Sequence, residues 1–269
     1  MARPSARVSG RRGFLLRAGL VTFGALAAPT WSYAQEAPPA PAFQPSVPVD
    51  PTAPPPPAAA RTVPVSPDEV ERGDPSKPNI TLAINVGAGS EPAVSMLDTL
   101  RDKGVRTTFF VLGWWADRQP DILRRIASDG HEVASHGHSV FDLTQVSDAE
   151  VRADLERADA SISAVTGKTT RPLWSASAGA RDARVRQIAA SIGYRPIYLT
   201  VDSLDWTQDA TAESVYQRVM EWTVNGAIVV CHFDSPTTVR STAVALPRMV
   251  DDLRGAGFTL MTITDLLTS

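Results

Sequence analysis

From residue 79 to the end of the chain, short apolar runs alternate with segments of helical periodicity. The runs that predict β-strands are residues 80–86, 107–112, 131–135, 172–176, 196–201, 227–232 and 258–263. Between them, apolar residues recur every three or four positions, as in Val151, Leu155 and Ala158, which follow a capping box of Ser147 and Glu150. Seven such alternations predict a parallel α/β architecture, and the periodicity leaves open an open sheet or an incomplete barrel.

Two segments of different character precede this pattern. In residues 1–34, Arg11 and Arg12 stand before an apolar run, and small residues follow at the spacing that a signal peptidase recognises. This predicts an export signal, either of the twin-arginine type, which adjacent arginines favour, or of the general secretory type. Residues 35–78 are dominated by proline and alanine and predict an extended linker. The folded domain is therefore predicted to span residues 79–269.

Net charge and cysteine content exclude several classes of partner and structure. Residues 1–34 contain five arginines and no acid, so the rest of the chain has 21 basic and 29 acidic residues, a net charge of −8. An acidic protein lacks the clustered positive charge that nucleic acids bind, so no nucleic-acid partner is predicted. The apolar run in the leader is too short for a comfortable membrane span, and no span is predicted after its removal. The single cysteine, Cys231, allows no intramolecular disulfide.

Polar residues gather at or beside the predicted ends of five strands. In parallel barrels the carboxyl ends of the strands carry the chemistry. The segments are Ile84-Asn85-Val86-Gly87, His136-Gly137-His138-Ser139-Val140, Arg171-Pro172-Leu173-Trp174, Asp202-Ser203-Leu204-Asp205-Trp206 and Val230-Cys231-His232.

In this order and at this spacing, the five segments resemble the motifs of the polysaccharide deacetylases of carbohydrate esterase family 4, the NodB homology domain. The resemblance covers essentially all of residues 79–269. It implies a distorted, incomplete (β/α) barrel with about seven strands. It also implies metal-assisted hydrolysis of acetyl groups on sugars, with a divalent metal, usually zinc, as the cofactor.

The resemblance assigns catalytic roles that this chain fills in part. It places the general base at Asn85 and the three metal ligands at Val86, His136 and Val140. Valine has no lone pair and an amide is not a carboxylate, so the metal triad and the base are predicted to be lost. A catalytic zinc needs three protein ligands and an open position for water. No bound metal is therefore predicted.

The remaining positions match the family. By resemblance, Arg171 orients the base, and Asp205 holds His232 as the general acid. Residues expected to line the groove and contact substrate are Trp206, Trp174, Val230 and His138. These residues predict a groove that retains the general acid and the side chains that line its wall.

Three functions stay open from the sequence. The first is an exported protein of the periplasm or cell envelope that is catalytically degenerate and binds polysaccharide or peptidoglycan glycan. The second is an active hydrolase with a rebuilt metal site, formed from His136 and His138 with either Asp142 or His232. The third is a non-catalytic scaffold, since fold alone does not decide function.

Overall fold

The computed structural model describes residues 62–269. The predicted export signal and residues 35–61 of the predicted linker lie outside the described residues. Within the described part of the chain, no helix is long and apolar enough to cross a membrane.

The described residues form one parallel sheet that curls into an incomplete barrel. Its strands are β1 (Asn79–Val86), β2 (Thr108–Val111), β3 (Glu132–Ser135), β4 (Leu173–Trp174), β5 (Arg195–Pro196), β6 (Val201–Asp202), β7 (Ile228–His232) and β8 (Thr259–Leu260). Seven strands follow in the order β5-β4-β3-β2-β1-β7-β6, and β8 pairs with the start of β1. The barrel predicted by resemblance is confirmed. One predicted run, residues 196–201, is split into β5 and β6, which form the two edges of the sheet.

Most of the helices cover the outer face. The helices are α1 (Ala93–Asp102), α2 (Gly113–Arg118), α3 (Pro120–Ser128), α4 (Asp148–Thr166), α5 (Ala183–Ser191), α6 (Ala212–Trp222), α7 (Thr242–Gly255) and α8 (Ile263–Thr268). The capping box predicted at α4 is present, because the Ser147 hydroxyl accepts from the Glu150 N–H and the Glu150 carboxylate accepts from the Ser147 N–H.

Side chains alternate along each strand between two hydrophobic clusters. The outward-facing residues, such as Ile84 and Val86 of β1, pack against the helices. The inward-facing residues fill the barrel interior: Ala83, Phe110, Ala134, Leu173, Ile228 and Val230. Ile263 and Leu266 of α8 pack into the same interior cluster, so α8 closes the end of the barrel opposite the strands' carboxyl ends.

The folded domain begins before residue 79. Val63 is buried in the interior cluster. The Val70 N–H donates to the Pro196 carbonyl at 2.9 Å, and the Tyr198 N–H donates to the Val70 carbonyl at 2.8 Å. Residues 62–78 therefore belong to the domain, and the predicted linker ends too late. Single bridges of this kind leave no periodic signal in a proline-rich segment.

Candidate functional site

Four strands place a polar side chain at the same end of the barrel. Each of these side chains comes two residues after an inward-facing apolar residue, so the alternation directs it toward the barrel axis. The four residues are Asn85, His136, Ser175 and His232. They line a cavity of about 390 Å³, together with Val230, Tyr198, Leu199, Asp202 and Trp206. The cavity therefore lies at the end of the sheet where the sequence predicted a site.

Asp205 and His232 form a tightly held pair. The Asp205 carboxylate is fully buried and accepts hydrogen bonds from Nδ1 of His232 at 2.7 Å, from its backbone N–H at 2.7 Å, and from the Thr242 hydroxyl. Burial lowers the pKa of His232, but the hydrogen bond to Asp205 and the charges of nearby carboxylates outweigh it and leave the pKa raised. The pair has the arrangement expected of a general acid held by a carboxylate.

His136 is a neutral imidazole in this cavity. Its Nδ1 lies 2.9 Å from the Ser175 carbonyl oxygen, which requires Nδ1 to carry the proton and leaves the lone pair on Nε2. Burial lowers its pKa to about 4. One ligand-ready imidazole is therefore present at the position where the resemblance places one.

The Asn85 side chain contains an unpaired acceptor. Its amide oxygen Oδ1 is buried and has no hydrogen-bond partner among residues 62–269. Leaving a buried acceptor unpaired costs about 1–3 kcal/mol.

The other two metal positions do not fit a metal. Val86 faces outward into the hydrophobic cluster beneath α1 and is 1% exposed, whereas Val140 is 62% exposed and lies away from the cavity. Among residues 62–269, no group of three or more His, Cys, Asp or Glu side chains is placed to hold a metal ion. Asp142, which the rebuilt site would use, instead caps a 3₁₀ turn through the Thr144 N–H.

His138 is not a groove residue. It is 4% exposed and its ring lies against Gly113, the first residue of α2. Its backbone N–H and that of Ser139 donate to the buried Asp154 carboxylate at 2.8 and 3.0 Å. This carboxylate fixes the loop after β3 in a form that directs His138 away from the cavity, which corrects the predicted lining role.

The segment Arg171-Pro172-Leu173-Trp174 places its side chains differently from the prediction. Arg171 precedes β4 and so lies at the amino end of the strand, opposite the site; its guanidinium donates to Asp159 and to the Ile192 carbonyl. Trp174 is fully buried, because it follows the inward-facing Leu173 and points outward. The residue that β4 delivers to the cavity is Ser175. The alternation of side chains from the inward-facing Leu173 predicts that Ser175 faces the cavity. The prediction relied instead on the Arg-Pro pair and so chose Arg171, four residues earlier.

Asp234 is a buried carboxylate that sequence reasoning missed. Its Oδ2 accepts hydrogen bonds from the backbone N–H groups of Gly87, Ala88 and Gly89 at 2.9, 2.8 and 3.0 Å. Three converging N–H groups form an anion-binding nest. Here the chain's own carboxylate fills the nest and fixes the loop that follows Asn85. No motif marks this residue in the sequence.

Comparison with known proteins places this geometry in a family. The family model described as polysaccharide deacetylase matches residues 72–197. The chain is 30% identical over 196 residues to the chitooligosaccharide deacetylase of Rhizobium leguminosarum bv. trifolii, covering 69% of this chain and 90% of that enzyme. This chain belongs to the polysaccharide deacetylase family.

Two further proteins are similar to this chain. The uncharacterized protein YlxY of Bacillus subtilis is 30% identical over 203 residues, covering 75% of this chain and 61% of that protein. The chain therefore spans less than two thirds of that relative. A Bacillus anthracis structure described as a wild-type CE4 family pseudoenzyme superposes with a TM-score of 0.70 at 29% identity, covering 75% of this chain and 69% of that chain. A mutant of that protein is described as having restored enzymatic activity.

The raised pKa of His232 can be tested in solution. Replacing Asp205→Asn removes the charge and the charge-assisted hydrogen bond but leaves the ring buried, so the pKa of His232 should fall. Titration of the histidine ring signals by NMR measures it. Asp202→Asn is the matched control and should lower the pKa less, because Asp202 acts through its charge alone. An unchanged pKa in Asp205→Asn, or an equal fall in both variants, would contradict this reading of the pair.

Proposed function

We propose that this chain is a catalytically degenerate polysaccharide deacetylase whose cavity binds an acetylated glycan. The observation that carries the proposal is the cavity at the carboxyl ends of the strands, where Asn85 and His232 stand beside the half-exposed Trp206. A cavity with polar groups beside an exposed tryptophan suits a ligand that has both hydrogen-bonding groups and an apolar face.

Hydrolysis by the family's mechanism lacks two of its parts here. Asn85 cannot take a proton from water as a carboxylate base does, and loss of a general base alone typically lowers the rate by about 10²–10⁴-fold. Water that is not bound to a metal keeps a pKa of about 15.7 rather than about 7. The Asp205–His232 pair could still donate a proton, but the cavity supplies no activated nucleophile for the carbonyl carbon.

Binding a glycan, unlike hydrolysing it, does not require these residues to activate a nucleophile. The polar atoms of an acetamido group would face Asn85 and His232, and the acetyl methyl would lie against Val230 and Leu199. The indole of Trp206 is half exposed and its Nε1–H donates to Asp202 at 3.3 Å, which holds the ring in the cavity wall. A sugar ring could pack on this indole face.

The related proteins support this ligand class. The Rhizobium relative is named for its action on chitooligosaccharides, which are N-acetylated glucosamine chains. The Bacillus anthracis protein is a pseudoenzyme of the same family and of similar fold. A degenerate centre on a retained scaffold therefore has a precedent among structures similar to this one.

Titration of the mature, untagged chain with N-acetylated chitotetraose tests the proposal. The chain, treated with a chelator, should bind the glycan without metal and release no acetate above background. Trp206→Ala should weaken binding by about tenfold, because it removes the aromatic wall. The fully deacetylated tetramer is the matched ligand and should bind more weakly, since it lacks the acetyl group.

Other outcomes separate the alternatives. Acetate released in proportion to added metal would establish an active hydrolase. Absence of binding to both chitotetraose and peptidoglycan fragments would leave a scaffold role and contradict the proposal.

We also propose that the chain is exported through the twin-arginine route to the periplasm or cell envelope. Arg11 and Arg12 stand immediately before Gly13, Phe14 and Leu15, which fits the twin-arginine pattern. Replacing both arginines by lysine should trap the precursor in the cytoplasm, as measured by fractionation. Normal export of the double variant would contradict the route; cytoplasmic wild-type protein would contradict export itself.

A further inference from the structure

A second depression lies on the other side of the loop that forms the cavity wall. It has a volume of about 470 Å³ and is bounded by the 203–207 loop and by α6. The residues that matter for its chemistry are Leu204, Asp209, Gln217, Arg218, Glu221 and Trp222. We refer to it as the α6 groove.

The α6 groove and the cavity share a wall. Along the chain, Asp202 and Trp206 face the cavity, whereas Ser203, Leu204 and Thr207 face the groove. Leu204 makes this division possible by adopting a φ of 57°, a left-handed conformation that a side-chain-bearing residue rarely takes. Its N–H donates to the Asp202 carboxylate at 2.9 Å, which holds the turn. Strained residues of this kind cluster at ligand sites.

Trp222 gives the groove an aromatic surface. It is the last residue of α6 and is 52% exposed. The guanidinium carbon of Arg218 lies 5.8 Å from its ring centroid, and Nε of Arg218 donates to the Asp202 carbonyl at 2.6 Å. Arg218 therefore contacts both the indole of Trp222 and the backbone of the shared wall. The two half-exposed tryptophans, Trp206 and Trp222, stand on opposite sides of this wall.

The charged groups around Trp222 disfavour an anionic ligand. Asp209 and Glu221 contribute two negative charges and Arg218 one positive charge, so the groove does not favour a polyanion. An exposed indole edged by carboxylates, an amide and a guanidinium offers an apolar face and several hydrogen-bonding groups. A sugar ring has the complementary surface, with apolar C–H faces and hydroxyls at its edge.

We propose that the α6 groove is a second sugar-binding subsite, which holds units of the glycan chain beyond the unit bound in the cavity. This inference rests on the proposed glycan binding at the cavity and extends it to a chain that crosses the wall at Trp206. The protein then recognises an oligomer by two aromatic platforms, and affinity increases with chain length because the second platform is occupied without a second association event.

Comparison of a short and a long ligand tests the subsite. Titrations of N-acetylated chitobiose and chitohexaose are followed by calorimetry with the wild type, Trp222→Ala and Trp222→Phe. The wild type should bind chitohexaose more tightly than chitobiose. Trp222→Ala should weaken chitohexaose binding by about five- to tenfold and leave chitobiose unchanged, whereas Trp222→Phe should keep most of the affinity. Val244→Ala, which truncates an exposed residue on α7, is the control and should change neither.

Each contrary result has a distinct meaning. If Trp222→Ala binds chitohexaose as the wild type does, the subsite is wrong and the cavity proposal stands. If it loses affinity for both ligands equally, Trp222 supports the wall rather than contacting sugar, and the subsite is again wrong. If the wild type binds neither ligand, both proposals fail together.

Discussion

The candidate site depends on the alternation of side chains along parallel strands of a curled sheet. Residues that face inward fill the barrel until the strands end, and the next inward positions open into the cavity. This places Asn85, His136, Ser175 and His232 around one space although they are far apart in the sequence. The same alternation sends Val86 outward into the core under α1, so one residue step separates a cavity position from a buried apolar one.

Burial constrains the Asp205–His232 pair more strongly than it constrains the positions where the resemblance places metal ligands. Asp205 is fully buried and holds His232, its backbone and Thr242, so removing either partner would leave an unpaired buried group. Metal-ligand positions are constrained differently. Where no metal binds, replacing a buried carboxylate by valine increases the stability of the fold, because valine is buried without the cost of desolvating a charge. The acid–carboxylate pair can therefore persist for stability alone, and its presence does not by itself indicate catalysis.

The sequence predicted the fold class and the parallel strands, because these follow from periodicity and strand order, and it brought Asn85, His136 and His232 to one end of the barrel. It misplaced residues whose position depends on tertiary contacts. Arg171 lies before the amino end of a strand of only two residues. His138 lies in a loop whose backbone N–H donates to Asp154, a residue 16 positions later in the sequence. Asp234 supports the loop after Asn85 through backbone N–H groups, which leave no trace in residue type.

Zinc titration into the untagged mature chain is the most direct test of a cavity without a metal centre. With Val86 and Val140 at two ligand positions, the chain should take up no stoichiometric zinc, and wild type and His136→Ala should give the same heat. Binding of one zinc per chain that disappears in His136→Ala would contradict this and would establish a metal site that His136 completes with other donors.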